Sequence, residues 1–133
     1  MTLAAPVIPA GIEHPLVARL IADLRWPLLA DEAALAGFAA RPGAHCVFLP
    51  GADRPNPETP DVAVILPELA QAFQCAFDCA VAGPAAEAAA KLAVEVHKTP
   101  NLAFWREGRV LGCLPRVRDW SDYMAAIPRL LAD

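Results

Sequence analysis

A chain of 133 residues fits a single domain on the usual scale of roughly 100–200 residues each. Its hydrophobic fraction of 56% against 20% charged excludes intrinsic disorder, and no uninterrupted apolar run approaches the roughly 18 residues that cross a bilayer. The net charge is −4 and the basic residues are scattered, which argues against nucleic acid, while one serine, three threonines, two lysines and three histidines leave few side chains for catalysis.

Met1 to Gly11, with Pro6, Pro9 and Gly11, reads as an extended lead. Met1 to Pro15 has neither a charged n-region nor an apolar h-region, so no signal peptide is expected. From His14 to Leu24, apolar residues at Leu16, Val17, Leu20, Ile21 and Leu24 trace one face of an amphipathic helix. Trp26 to Leu29 is a short strand. Asp31 caps a helix from Glu32 to about Ala40, stopped by Arg41-Pro42-Gly43. His45 to Leu49 is a buried strand. An irregular, proline-rich segment, Pro50 to Pro60, follows it directly. Thr59 or Asp61 can cap the next helix, Asp61 to about Ala72, with Pro60 tolerated in its first turn. Pro67 inside this helix should kink it.

Gln74 to Ala82 reads as a strand broken by Gly83-Pro84, and Ala85 to Val96 as a helix of strong formers. Leu102 to Trp105 and Arg109 to Leu114 form a hairpin around Glu107-Gly108. Asp119 to Leu131 closes the chain as a helix, with Ser121 in a capping role. Strands separated by helices imply parallel crossovers, and the hairpin adds antiparallel strands. The expected fold class is α/β: one domain, 1–133, with a mixed central sheet flanked by helices on both faces and an N-terminal extension, 1–25, that carries an extra helix.

After residue 25 this order resembles a thioredoxin fold. Pro67 occupies the place of the helix-kinking proline that follows the C-x-x-C pair. Counting back puts the two cysteine positions at Thr59 and Val62, so both sulfurs are absent. The stretch Lys98-Thr99-Pro100-Asn101-Leu102 resembles the segment that carries the cis-proline, and the Thr99–Pro100 bond is expected to be cis. A narrower likeness lies in Phe48-Leu49-Pro50-Gly51-Ala52-Asp53-Arg54-Pro55-Asn56-Pro57-Glu58 and Asp61-Val62-Ala63-Val64-Ile65-Leu66-Pro67-Glu68-Leu69. Together they resemble the HupG/HyaE/HoxO family of hydrogenase-1 expression/formation accessory proteins, thioredoxin-like domains that lack the dithiol. That resemblance implies a non-enzymatic, cytoplasmic chaperone without cofactor. It implies binding of the small-subunit precursor of an uptake [NiFe] hydrogenase, with its twin-arginine leader, before export, alongside other maturation factors. The scattered basic residues and the lack of a long apolar run add the expectation of no nucleic acid and no membrane insertion.

The four cysteines, Cys46, Cys75, Cys79 and Cys113, read as free thiols. Cys75 and Cys79 on one strand would lie roughly 13 Å apart, beyond disulfide reach. A contact of Cys46 with either is open, and Cys113 on the hairpin is the best candidate for an exposed thiol. His45 and Cys46 should point to opposite faces of their strand, so no metal site is expected. Asp78 is either buried and paired or at a strand edge. Asp53, Glu58, Asp61 and Glu68 cluster around the irregular loop and the kinked helix. They read either as a solvated helix start or as an acidic docking surface for arginines. With Thr99 and Pro100, whose backbone can pair with an extended peptide, they make the expected partner-binding surface. Two other readings remain open: a monothiol redox protein using Cys113 or Cys46, and a structural scaffold dimerising through the N-terminal helix.

Overall fold

The computed structural model describes residues 12–52 and 56–132. The chain runs α1 (Pro15–Ala22), β1 (Leu28–Leu29), α2 (Glu32–Ala39), β2 (Ala44–Leu49), α3 (Thr59–Ala72), β3 (Phe77–Ala82), α4 (Pro84–Val94), β4 (Asn101–Arg106), β5 (Arg109–Pro115) and α5 (Trp120–Leu131). Five strands form one sheet in the order β1-β3-β2-β4-β5. β3 is parallel to β1 and β2, and β4 is antiparallel to β2 and β5. This is the mixed α/β sheet that the element order requires. The Thr99–Pro100 bond is cis. The extended lead at 1–11 lies outside the described residues.

All six residues of β2 are buried, as a central strand covered on both faces must be. Its alternation divides the core. Cys46 and Phe48 join Leu102 and Phe104 of β4 under the helices α1, α3 and α5. Val47 and Leu49 join Ala80, Ala82, Ala103 and Trp105 under α2 and α4, where Ala86 and Ala90 face the sheet. The alanine richness of the sequence thus has a location: Ala80, Ala82, Ala86, Ala90 and Ala103 lie in the second interface, packed beside Leu35, Phe38 and Trp105. The first interface is filled by large residues, including the edge-on pair Phe77 and Phe104 with ring centroids 5.5 Å apart.

α1 is capped by the His14 side chain, which accepts the Leu16 N–H at 3.1 Å, and it packs along α3. Val17 and Leu20 are fully buried in this contact, so the apolar face of the N-terminal helix is covered by the chain's own core. Asp31 caps α2 as the sequence requires, accepting the Ala34 N–H at 2.8 Å.

Several boundaries differ from the sequence reading, each for a local reason. α3 begins at Thr59, not Asp61. The backbone is already helical at Glu58, which makes no side-chain cap. The Thr59 hydroxyl instead donates to Pro50 O at 2.6 Å, tying the helix start to the end of β2. Gln74 and Cys75 do not belong to β3. They take positive φ (53° and 60°) in a turn whose Cys75 N–H returns to Ala70 O, so the strand starts only at Phe77. α4 takes Pro84 as its first residue and ends at the left-handed Glu95. α5 has Asp119, not Ser121, at its N-cap position, and no side chain caps it.

Candidate functional site

The register fixes where the loops gather. Leu49, at the end of β2, pairs with Asn101 at the start of β4, which pairs with Pro115 at the end of β5. Residues 50–52 and 56–58, the cis-Pro100 loop and the turn at 116–117 therefore meet at one end of the sheet. Thr59 and Val62, at the positions where the resemblance implies thiols, lie at this end in the first turn of α3, and both are buried.

A closed circuit of hydrogen bonds joins these loops. Asn56 Nδ2 donates to Thr99 O at 2.8 Å. Arg116 N donates to Pro100 O at 2.6 Å. The Arg116 guanidinium hydrogen-bonds the Glu58 carboxylate, and Val117 N donates to its other oxygen at 2.9 Å. Glu58 N donates to Asn56 Oδ1 at 2.8 Å, which completes the ring. Both carbonyls flanking the cis bond are thus engaged within the chain. Glu58, expected as a docking acid, is the hub of this circuit. The Arg116 guanidinium, then the Val117 N–H, hold its carboxyl below the usual range, and Glu58 in turn raises Arg116.

The sign of the linkage follows. A carboxyl whose pKa is lower in the folded state stabilises the fold above its ordinary value and loses that contribution as pH falls through its folded value. Glu58→Gln is therefore expected to be less stable than the parent at neutral pH. The gap should close as the parent is acidified below about pH 4. Urea titrations at several pH values check this; a gap independent of pH would contradict it.

A second anchor lies behind the loop. Glu87, on α4, is 1% exposed. Its carboxylate accepts the N–H groups of Gly51 at 2.7 Å and Ala52 at 2.8 Å, and lies 3.3 Å from Lys91 Nζ one turn on. Glu87 thus fixes the chain where it leaves β2.

The remaining residues of the expected surface are distributed differently. Asp61 and Glu68 are exposed on α3, with Val64 between them 41% exposed. Thr99 is half-buried and Pro100 buried. Asp53 lies outside the described residues. Sequence reasoning missed Asn56, Glu87 and Arg116. An Asn two residues before the amide it accepts is an Asx turn, and Glu87 with Lys91 has the spacing of a helical ion pair, so both had a local signal. Arg116 had none.

The thiols separate by place. Cys46 and Cys79 are buried register neighbours on β2 and β3. Burial first, and hydrogen bonding to Cys79 second, push the Cys46 thiol well up. Cys113 is half-buried, and Cys75, in its turn, is the exposed one. This corrects the choice of Cys113 as the exposed thiol: the residue expected inside a strand sits in a left-handed turn. A maleimide is expected to label Cys75 first, with the fast phase lost in Cys75→Ser; a fast phase that survives would contradict the assignment.

The opposite sheet end holds a separate cluster. His45 is buried, with Nδ1 hydrogen-bonded to the Asp78 carboxylate and Nε2 2.7 Å from Arg41 O. Arg41 lies 3.5 Å from Asp78 and over the Phe38 ring. Asp78 is thus paired and partly exposed. His45 and Cys46 do face opposite sides of the sheet, His45 against Phe38 of α2 and Cys46 in the core under α3. Among the described residues no group of three His, Cys, Asp or Glu side chains could hold a metal ion, and no helix is long and apolar enough to cross a membrane.

Comparisons with known proteins agree with this architecture. Fasciola hepatica thioredoxin superposes with a TM-score of 0.61 at 13% identity, covering 77% of this chain and 98% of that one. A designed protein superposes with a TM-score of 0.62 at 15% identity, covering 80% of this chain and 93% of that one. At such identities the likeness shows the fold alone, which is thioredoxin-like. In sequence the chain is 51% identical over 124 residues to the hydrogenase expression/formation protein HupG of Rhodobacter capsulatus, spanning 93% of this chain and 90% of the relative. It is 40% identical over 119 residues to the hydrogenase expression/formation protein HoxO of Azotobacter vinelandii, spanning 90% and 79%. Residues 16–123 match the family described as hydrogenase-1 expression protein HyaE. With most of its length matched, the chain belongs to the HyaE family.

Proposed function

We propose that this protein is a cytoplasmic accessory chaperone in hydrogenase maturation. It binds the small-subunit precursor of an uptake [NiFe] hydrogenase, with its twin-arginine leader, before export. Family membership supports the maturation role. The observation that carries the binding role is the state of the sheet end described above. The thioredoxin-like frame is intact there, but Thr59 and Val62 stand buried at the dithiol positions, and the surrounding loops are tied to one another by Asn56, Glu58 and Arg116. Such an end has the rigidity of a binding platform without a thiol pair to exchange.

The proposed contact surface is the one formed by Asp53, Glu58, Asp61, Glu68, Thr99 and Pro100. Within it, Asp61 and Glu68 flank the exposed Val64 along α3. Two carboxylates around an apolar side chain complement a segment that combines arginines with apolar residues. Glu58, Thr99 and Pro100 shape the platform through the hydrogen-bond circuit.

The test is co-purification of this chain from cells that make the hydrogenase, with the precursor carrying or lacking its leader. Recovery of the leader-bearing form supports the reading; recovery of neither overturns it. An insulin-reduction assay addresses the redox alternative. No turnover is expected, and turnover lost in Cys113→Ser or Cys46→Ser would favour the enzyme.

A further inference from the structure

A cleft of about 690 Å³ opens between α4 and the segment leading to the cis-Pro100 bond, on the sheet face away from α3. Lys91 and Lys98, the only lysines in the chain, both line it, together with His97. With Glu87 opposing Lys91, the lining still carries net positive charge in a protein of net charge −4. Glu87 also lines the cleft, but its carboxylate is bound by the Gly51 and Ala52 amides and the Lys91 ammonium. The exposed charge a ligand meets is therefore that of Lys98. Leu92 on the same wall is 73% exposed, the most exposed large apolar side chain described.

We propose that this cleft binds an acidic peptide segment of a partner protein, with a carboxylate at Lys98 over the Glu87–Lys91 pair and an adjacent apolar side chain against Leu92. Charge selects the carboxylate, and the exposed leucine beside the lysines selects a peptide over a lone anion. The cleft lies in the other helix layer from Asp61 and Glu68, so the two surfaces have opposite charge and can be occupied together. The inference needs no hydrogenase client and stands or falls separately from that reading.

The probe is a short fluorescein-labelled peptide of alternating Glu and Leu, titrated with the full chain and followed by anisotropy. Its counterpart of Lys and Leu and inorganic phosphate serve as competitors. Saturable binding of the acidic peptide is expected, weakened roughly tenfold or more in Lys98→Glu and several-fold in Leu92→Ala, both exposed positions. Amide shifts in the unaltered protein should centre on Leu92, Lys98 and Thr99, a readout that needs no variant. Absence of binding, equal binding of the basic peptide, displacement by phosphate beyond that by chloride at equal ionic strength, or shifts confined to α3 would each overturn the proposal.

Discussion

Glu87→Ala is expected to lower the unfolding free energy by about 3–5 kcal/mol, the cost of breaking a buried ion pair by removing one partner. The substitution takes the carboxylate 3.3 Å away from Lys91 and removes the acceptor of the Gly51 and Ala52 N–H groups. Against a total stability of about 5–15 kcal/mol for a typical domain, that is a large share. Glu87→Gln keeps an acceptor oxygen and the side-chain volume, so it should cost less. Urea unfolding of the three proteins measures both differences. A loss under about 1 kcal/mol in Glu87→Ala would mean that residues 50–52 are held by other contacts.

The second large effect concerns binding. Asp61→Lys with Glu68→Lys replaces two carboxylates by two ammonium groups on either side of Val64 on α3. Both side chains are exposed, so the stability cost should stay at about 1 kcal/mol, the effect of placing a cation in the first turn of α3 where Asp61 complements the helix dipole. If α3 receives the arginines of the leader, affinity for the precursor should fall by at least about tenfold, on the scale of one lost charge-assisted contact. Most of the loss should appear in the association rate, and the salt dependence of the parent should vanish. Unchanged affinity would move the contact away from α3. The chemically similar change Glu58→Lys is a poor substitute, because Glu58 is bonded to Arg116 and Val117 and its loss disturbs the loops themselves.

The elements most legible in the sequence were those with a local cause. Asp31 before an alanine-rich run specified the cap of α2, and Glu107-Gly108, both with positive φ, specified the hairpin. The apolar face of Val17 and Leu20 gave α1, and the Thr-Pro pair placed the cis bond through the thioredoxin likeness. Turns that depend on tertiary contact were not legible. Gln74 and Cys75 carry no glycine or proline to mark a left-handed turn, and the apolar run through Phe77 invited an earlier strand start. At the candidate site, the cluster of acids was visible but the division of labour within it was not. Glu58 turns inward because Arg116, 58 residues later, is brought beside it by the end of β5. Glu87 is buried because loop 50–52 offers it two amides. Such partners are assembled by topology, and one-dimensional spacing does not contain them.

In the proposed function, a thioredoxin-like frame without its dithiol serves as a binding platform for the hydrogenase small-subunit precursor. Calorimetric titration of that precursor into the purified chain tests it most directly. Saturable binding to the leader-bearing precursor is expected, weaker for the leaderless form and for the Asp61→Lys, Glu68→Lys variant. No binding of either precursor form would contradict the account.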